Sequence, residues 1–128
     1  MSVVTFQNLP LADRRRRWDA AAAERRVRRW AGADGEAGLS PRRARERYRR
    51  AFLWWDRDAA GNLGAYKLQI ADVIGGELRA VPRAVMSAGG VLEGARGGVD
   101  IPEAERRRCR LHLARYYRAM GRPPPWER

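Results

Sequence analysis

Apolar positions change their spacing along this chain, and each change predicts an element. Ala20, Ala23, Val27, Trp30 and Ala31 recur at helical spacing, with Arg25, Arg26, Arg28 and Arg29 mostly outside that stripe. Asp19 stands where an N-cap belongs and Gly32 where the run should stop, so the pattern predicts a helix over 20–31 that buries its alanine side. Trp18 and Ala23 have the spacing of a hydrophobic staple. Upstream, Val3, Val4 and Phe6 form a short apolar segment that fits an edge strand or a frayed end equally well. The segment LPLADRRRRWD follows. Four adjacent arginines repel one another in a regular helix, so for Arg14, Arg15, Arg16 and Arg17 an extended or first-turn arm is expected at least as readily as a regular helix.

Residues 31–40, AGADGEAGLS, read as a loop, and Ser40 before Pro41 signals the start of a short basic helix, PRRARERYRR. Its apolar surface is little more than Ala44 and Tyr48. The period then shortens. Phe52, Leu53, Trp54 and Trp55 are consecutive and bounded by turn formers, which predicts a core strand over 51–56 buried on both faces. Tyr66, Leu68 and Ile70 alternate with Lys67, Gln69 and Ala71, predicting a half-buried strand over 65–72. Ile74, Gly75 and Gly76 turn it into a returning strand over 77–81, a central hairpin. Pro82 opens a helix over 82–93 in which Gly89 and Gly90 permit a bend or a break. Asp100, Pro102 and Glu103 form an N-terminal signature for a helix over 101–120. Glu105, Cys109, His112, Leu113, Tyr116 and Met120 share one face of it, and Leu111 falls off that face, free for a partner. PPPWER reads as a stiff tail.

These elements predict an α+β fold: a small antiparallel sheet of about three strands with a central hairpin, packed by three to four helices. Residues 1–18 are an N-terminal segment with a basic arm, 19–120 a single compact domain and 121–128 a proline-rich tail. A chain of 128 residues is long enough to bury a modest core without disulfides or metals.

Charge changes the picture. The net charge is +12 and the isoelectric point about 11.4, which points to a polyanionic partner. Residues 13–50 carry a net +8, residues 51–101 a net −1 and residues 102–128 a net +5, so the basic surface belongs to the arm and helices and the hairpin core is neutral. Of the 27 basic residues only Lys67 is lysine; alongside the many alanines and glycines this fits GC-rich coding, and the sign of the charge carries the functional information. A lone Cys109 excludes an internal disulfide framework and suits a reducing cytoplasm. No apolar run reaches the roughly 18–20 residues of a membrane span, and MSVVTFQNLPLADRRRR has its charge after its apolar part, the wrong order for a signal peptide.

No catalytic or metal constellation emerges. Cys109 and His112 lie one helical turn apart without the further ligands that a metal needs. A serine nucleophile would need a base, and His112 has no nearby serine and only Glu105 to orient it. GGVLEGARGG lacks the Lys-Ser/Thr ending of a phosphate loop, so its glycines read as turns, although amides around Arg96 could touch a phosphate. Asp56, Asp58, Asp72 and Asp100 could gather into a nuclease-like metal site, but capping and turn roles account for most of them. The expectation is a non-enzyme with no cofactor and no metal.

The segments LPLADRRRRWDAAAAERRVRRWAG, YRRAFLWWD, AYKLQIADVIGGELRAVPRAVMSAGGVLEGARGGVDIPEAE and HLARYYRAM together resemble a small module of tailed-phage and prophage head-morphogenesis proteins, a region that accompanies prohead proteases. The resemblance covers nearly the whole chain and implies phage context without the protease body, since no Ser and His pair carries that chemistry. Gln69 stands where the module would have proline, which should make that strand more regular. The leading expectation is a non-enzymatic basic module that binds nucleic acid, DNA ahead of RNA, through backbone phosphates. Its candidate contacts are Arg14, Arg15, Arg16, Arg17, Arg25, Arg26, Arg28, Arg29, Arg107, Arg110, Arg115 and Arg118. The alternative is a virion or head-assembly interaction module whose arginines meet acidic capsid or scaffold surfaces. Either role implies the host cytoplasm or the virion, no membrane partner, and leaves homo-oligomerisation open.

Overall fold

The computed structural model describes residues 2–4, 7–33 and 41–127. Phe6, the Ser40 cap and most of the 31–40 loop lie outside them. The α+β class predicted from the pattern is the one observed, with its strands divided between two small antiparallel sheets.

The apolar quartet forms β2 (Phe52–Asp56), the middle strand of the first sheet, between β1 (Ser2–Val4) and β3 (Tyr66–Gln69). Phe52, Leu53, Trp54 and Trp55 are all buried, as expected for a strand covered on both faces. The N-terminal segment therefore resolves into an edge strand, with Val3 opposite Trp55 and Val4 opposite Trp54. On the other side, Trp55 and Tyr66 are register partners whose rings stack 5.8 Å apart at 5°.

The single strand predicted over 65–72 is two strands in two sheets. β3 ends at Gln69, and β4 (Ala71–Ile74) pairs instead with β5 (Glu77–Ala80). The physical reason lies in burial: Ile70, Ala71 and Asp72 are buried consecutively, which the alternating faces of one strand with a single solvated side cannot provide. The chain changes sheets by placing Leu68 at φ +63°, and Ile70 joins the layers by donating to the Ala51 carbonyl at 2.9 Å and accepting from Val81 N–H at 2.8 Å. The regularity expected at Gln69 is not found; its side-chain amide donates to the Ala71 carbonyl across the break at 3.0 Å. The β4–β5 hairpin closes as predicted on Gly75 and Gly76, whose φ values of +60° and +81° are those a two-residue type I′ turn requires.

Helix α1 (Ala20–Ala31) starts and stops where its caps predicted. The Asp19 carboxylate accepts from Ala22 N–H at 3.1 Å, and Gly32 ends the run. Its buried stripe is Ala23, Val27 and Ala31, and it packs on β4. α2 (Pro41–Tyr48) runs into a 3-10 turn at Arg49–Ala51 and is anchored by buried Ala44 and Tyr48. α3 (Pro82–Leu92) continues unbroken through Gly89 and Gly90. Gly89 allows a close crossing instead of a bend: a Cβ there would run into the Tyr117 hydroxyl and stand 3.1 Å from its ring carbon Cζ. Tyr117 belongs to α4 (Glu103–Ala119), which packs on α3, β1 and β2. α4 begins two residues later than predicted, with Pro102 at the cap position, and Asp100 does not cap it. The preceding turn is held by Arg106, which donates to the Val99 carbonyl at 2.9 Å. The tail folds back, with Pro124 buried and the Trp126 ring edge-on to Tyr117 at 5.9 Å. Among the described residues, no helix is long and apolar enough to cross a membrane.

Candidate nucleic-acid interface

At least half of the predicted arginine set is already engaged within the molecule, two of its members by one buried carboxylate. Asp72, in β4, is only 2% exposed. Arg26 of α1 grips it with two bonds, Nε to Oδ1 at 2.9 Å and Nη2 to Oδ2 at 2.7 Å. Arg16 of the arm adds Nη2 to Oδ2 at 3.1 Å, and Val73 N–H donates to Oδ1 at 2.7 Å. Burial would raise the pKa of this carboxyl, but the hydrogen bonds from Arg26, Arg16 and the Val73 amide more than offset it and hold Asp72 below its usual range. Asp72 is thus an acid that capping and turn roles do not account for: it locks the arm and α1 onto the hairpin.

The arm is docked rather than free. Leu11 bridges Ala80 in parallel, Ala12 N–H donates to the Ala80 carbonyl at 2.8 Å, and Ala80 N–H donates to the Pro10 carbonyl at 2.9 Å. Beyond it the four arginines alternate in role. Arg14 donates to the Met120 carbonyl at 2.7 Å, satisfying a free acceptor at the end of α4, and Arg16 holds Asp72. Arg15 and Arg17 are exposed and line an open groove of about 740 Å³ beside the hairpin, with Arg79 across it. Arg79 is itself paired with Glu77 at 3.1 Å.

On α1, Arg28 pairs with Glu24, which also accepts from the Tyr48 hydroxyl at 3.0 Å. Arg25 and Arg29 are exposed and have no ion-pair partner among the described residues. Asp72 thus ties the arm that bears Arg15 and Arg17 to the helix that bears Arg25 and Arg29. α4 packs on α3 and the first sheet, and its C-terminal end meets the arm through the Arg14 bond to the Met120 carbonyl. Arg110 reaches Glu93 at 3.2 Å and Glu103 at 3.8 Å, and Arg118 reaches Glu127 at 3.4 Å. Arg107 and Arg115 are exposed.

Sequence reasoning passed over a second basic cluster on α2 and its 3-10 extension. Arg42, Arg45 and Arg49 surround a concavity of about 340 Å³ floored by Trp55 and Tyr66, with Arg57 at its edge and Glu46 the single carboxylate. The signal was legible in their i, i+3, i+7 spacing on one helix face. The little apolar surface of that helix points to packing on the remainder or to a bound polyanion for its stability, without singling out these arginines. Nearby, the Arg47 guanidinium lies over the Trp30 ring at 4.2 Å.

The reactive residue types are packed away. Burial pushes the Cys109 thiol up to about 12, with Glu105 adding to it, so the thiolate is not populated at neutral pH. Burial, aided by Arg115, brings His112 down to about 4, and its ring is hydrogen-bonded to the Gln7 side chain. Glu105 accepts from the Trp54 indole N–H. Among the described residues no group of three His, Cys, Asp or Glu side chains could hold a metal ion. No family model, curated protein or solved structure matches the chain.

Proposed function

We propose that this protein binds nucleic acid without chemistry, gripping backbone phosphates with little sequence preference, in the phage setting that its resemblance suggests. The observation that carries the reading is the group Arg15, Arg17, Arg25 and Arg29: exposed, without carboxylate partners among the described residues, and held on two elements by one buried lock. Guanidinium forks suit the planar, bidentate recognition of phosphate oxygens. No large aromatic side chain among the described residues is exposed to stack on bases, which favours backbone contact over base contact. DNA, as the commoner long polyanion of a phage context, is the partner we assign ahead of RNA. Leu111, 68% exposed on α4, is the observation that favours a protein partner instead.

The reading is tested with two labelled duplexes of unrelated sequence and an acidic protein as competitor. Equal affinity for both duplexes, weakening about a hundredfold between about 50 and about 200 mM salt for four phosphate contacts, is expected. Binding that is absent at both salt concentrations, or insensitive to salt, rules it out.

A further inference from the structure

The concavity on α2 makes a different offer from the arm and α1, none of whose residues line it. At about 340 Å³ it lies at the lower end of the ~300–1,000 Å³ typical of small-ligand pockets and is far too small to admit a duplex. Arg45 and Arg49 are half-buried and have no ion-pair partner among the described residues, so their positive charge is not offset by a carboxylate there. Arg49 is held in place over the Trp55 ring at 5.0 Å, and Arg42 is paired with Glu46 at 3.4 Å. The aromatic floor is already occupied: Trp55 and Tyr66 stack on each other and the Tyr66 hydroxyl donates to the Ala60 carbonyl at 2.8 Å. A base would find no free ring face and little room to stack, whereas an anion would find two preset forks. Burial raises the Tyr66 phenol while Arg45 and Arg49 pull against it, which marks the pocket as electropositive.

We infer that this concavity binds a single phosphate group, a phosphomonoester carried by the end of a nucleic-acid strand or by a free nucleotide, with Arg45 and Arg49 as its principal ligands. The inference rests on the nucleic-acid reading only for the source of the phosphate.

The test is a titration of isotope-labelled protein with inorganic phosphate, against sodium chloride of matched ionic strength. The Trp55 indole N–H and the Tyr66 amide are expected to shift saturably in phosphate and not in chloride. Arg45→Gln and Arg49→Gln should each weaken that binding about tenfold or more, as the loss of a charge-assisted hydrogen bond implies. Arg83→Gln, at an exposed position away from the concavity, should leave it unchanged. A single-stranded oligonucleotide bearing a 5′-phosphate is then compared with its 5′-hydroxyl twin. Tighter binding of the phosphorylated strand assigns the site to strand ends; displacement by a mononucleotide with no preference between the strands assigns it to free nucleotides. Shifts that never saturate, that fall on the arm instead of Trp55, or that persist at full strength in both single variants would overturn the inference. Should either variant fail to fold, the wild-type titration alone decides. Loss of phosphate binding alongside intact, salt-dependent duplex binding would remove this site and leave the arm and α1 reading standing.

Discussion

Replacing Asp72 with asparagine removes one negative charge while keeping the side chain's size and its acceptor for Val73 N–H. Removing one member of a buried ion pair commonly costs about 3–5 kcal/mol, because the other charge is left stranded. Here the stranded groups are only half enclosed: the side chains of Arg16 and Arg26 are 34% and 45% exposed, so both guanidiniums can turn back to water. What disappears is the charge-assisted part of three side-chain bonds, discounted for that screening, and we expect a destabilisation of about 2 kcal/mol. Urea unfolding followed by circular dichroism should show a lower midpoint with an unchanged slope. The lock also has a pH signature. Because the folded pKa of Asp72 is depressed, its contribution is present above the unfolded value of 3.8 and lost as pH falls through the lower folded value. Wild type should therefore lose stability below about pH 4 more steeply than Asp72→Asn. In a double-mutant cycle with Arg26→Gln, a coupling of about 1–2 kcal/mol is expected. A variant within about 0.5 kcal/mol of wild type, with the same acid sensitivity, would refute the lock.

Three further outcomes follow from other parts of the fold. His112 is neutral when folded, with its pKa brought from 6.5 to about 4, so wild type should lose about 3 kcal/mol as pH falls through that interval, and His112→Gln should flatten the loss in urea titrations at successive pH values. Gly89→Ala should destabilise by about 1–2 kcal/mol net of its gain in helix propensity, because buried Tyr117 cannot retreat from the new methyl group; thermal unfolding reports it. Gly90→Ala, whose added Cβ meets only the Ala95 methyl at an ordinary 3.6 Å, should instead stabilise by up to about 1 kcal/mol in the same measurement.

What could be read in the sequence was what local physics decides. The Asp19 and Gly32 caps, the alanine stripe of α1, the buried quartet of β2 and the glycine pair of the hairpin each depend on neighbours a few residues away. The division of 65–72 was hidden because Tyr66, Leu68 and Ile70 fit an alternating pattern, and only the second sheet reveals that Ala71 and Asp72 must both be buried. Arginine roles were hidden for a related reason. Arg16 and Arg26 meet Asp72 across 56 and 46 residues of chain, and no periodicity links a cation to so distant a carboxylate. Arg15 and Arg16 are identical in composition and local setting; the turn of the docked arm gives one to solvent and the other to the core. The α2 cluster was visible as spacing, but its meaning depends on Trp55 and Tyr66, which arrive from two strands of a sheet.

The most direct measurement is the salt dependence of duplex binding in wild type and in a variant with Arg15, Arg17, Arg25 and Arg29 all changed to glutamine. The account predicts that the slope of log affinity against log salt falls in magnitude by about 0.9 for each phosphate that is no longer neutralised, approaching about 3.6 for all four, while the urea midpoint stays near that of wild type. An unchanged slope and affinity in a folded variant would contradict it.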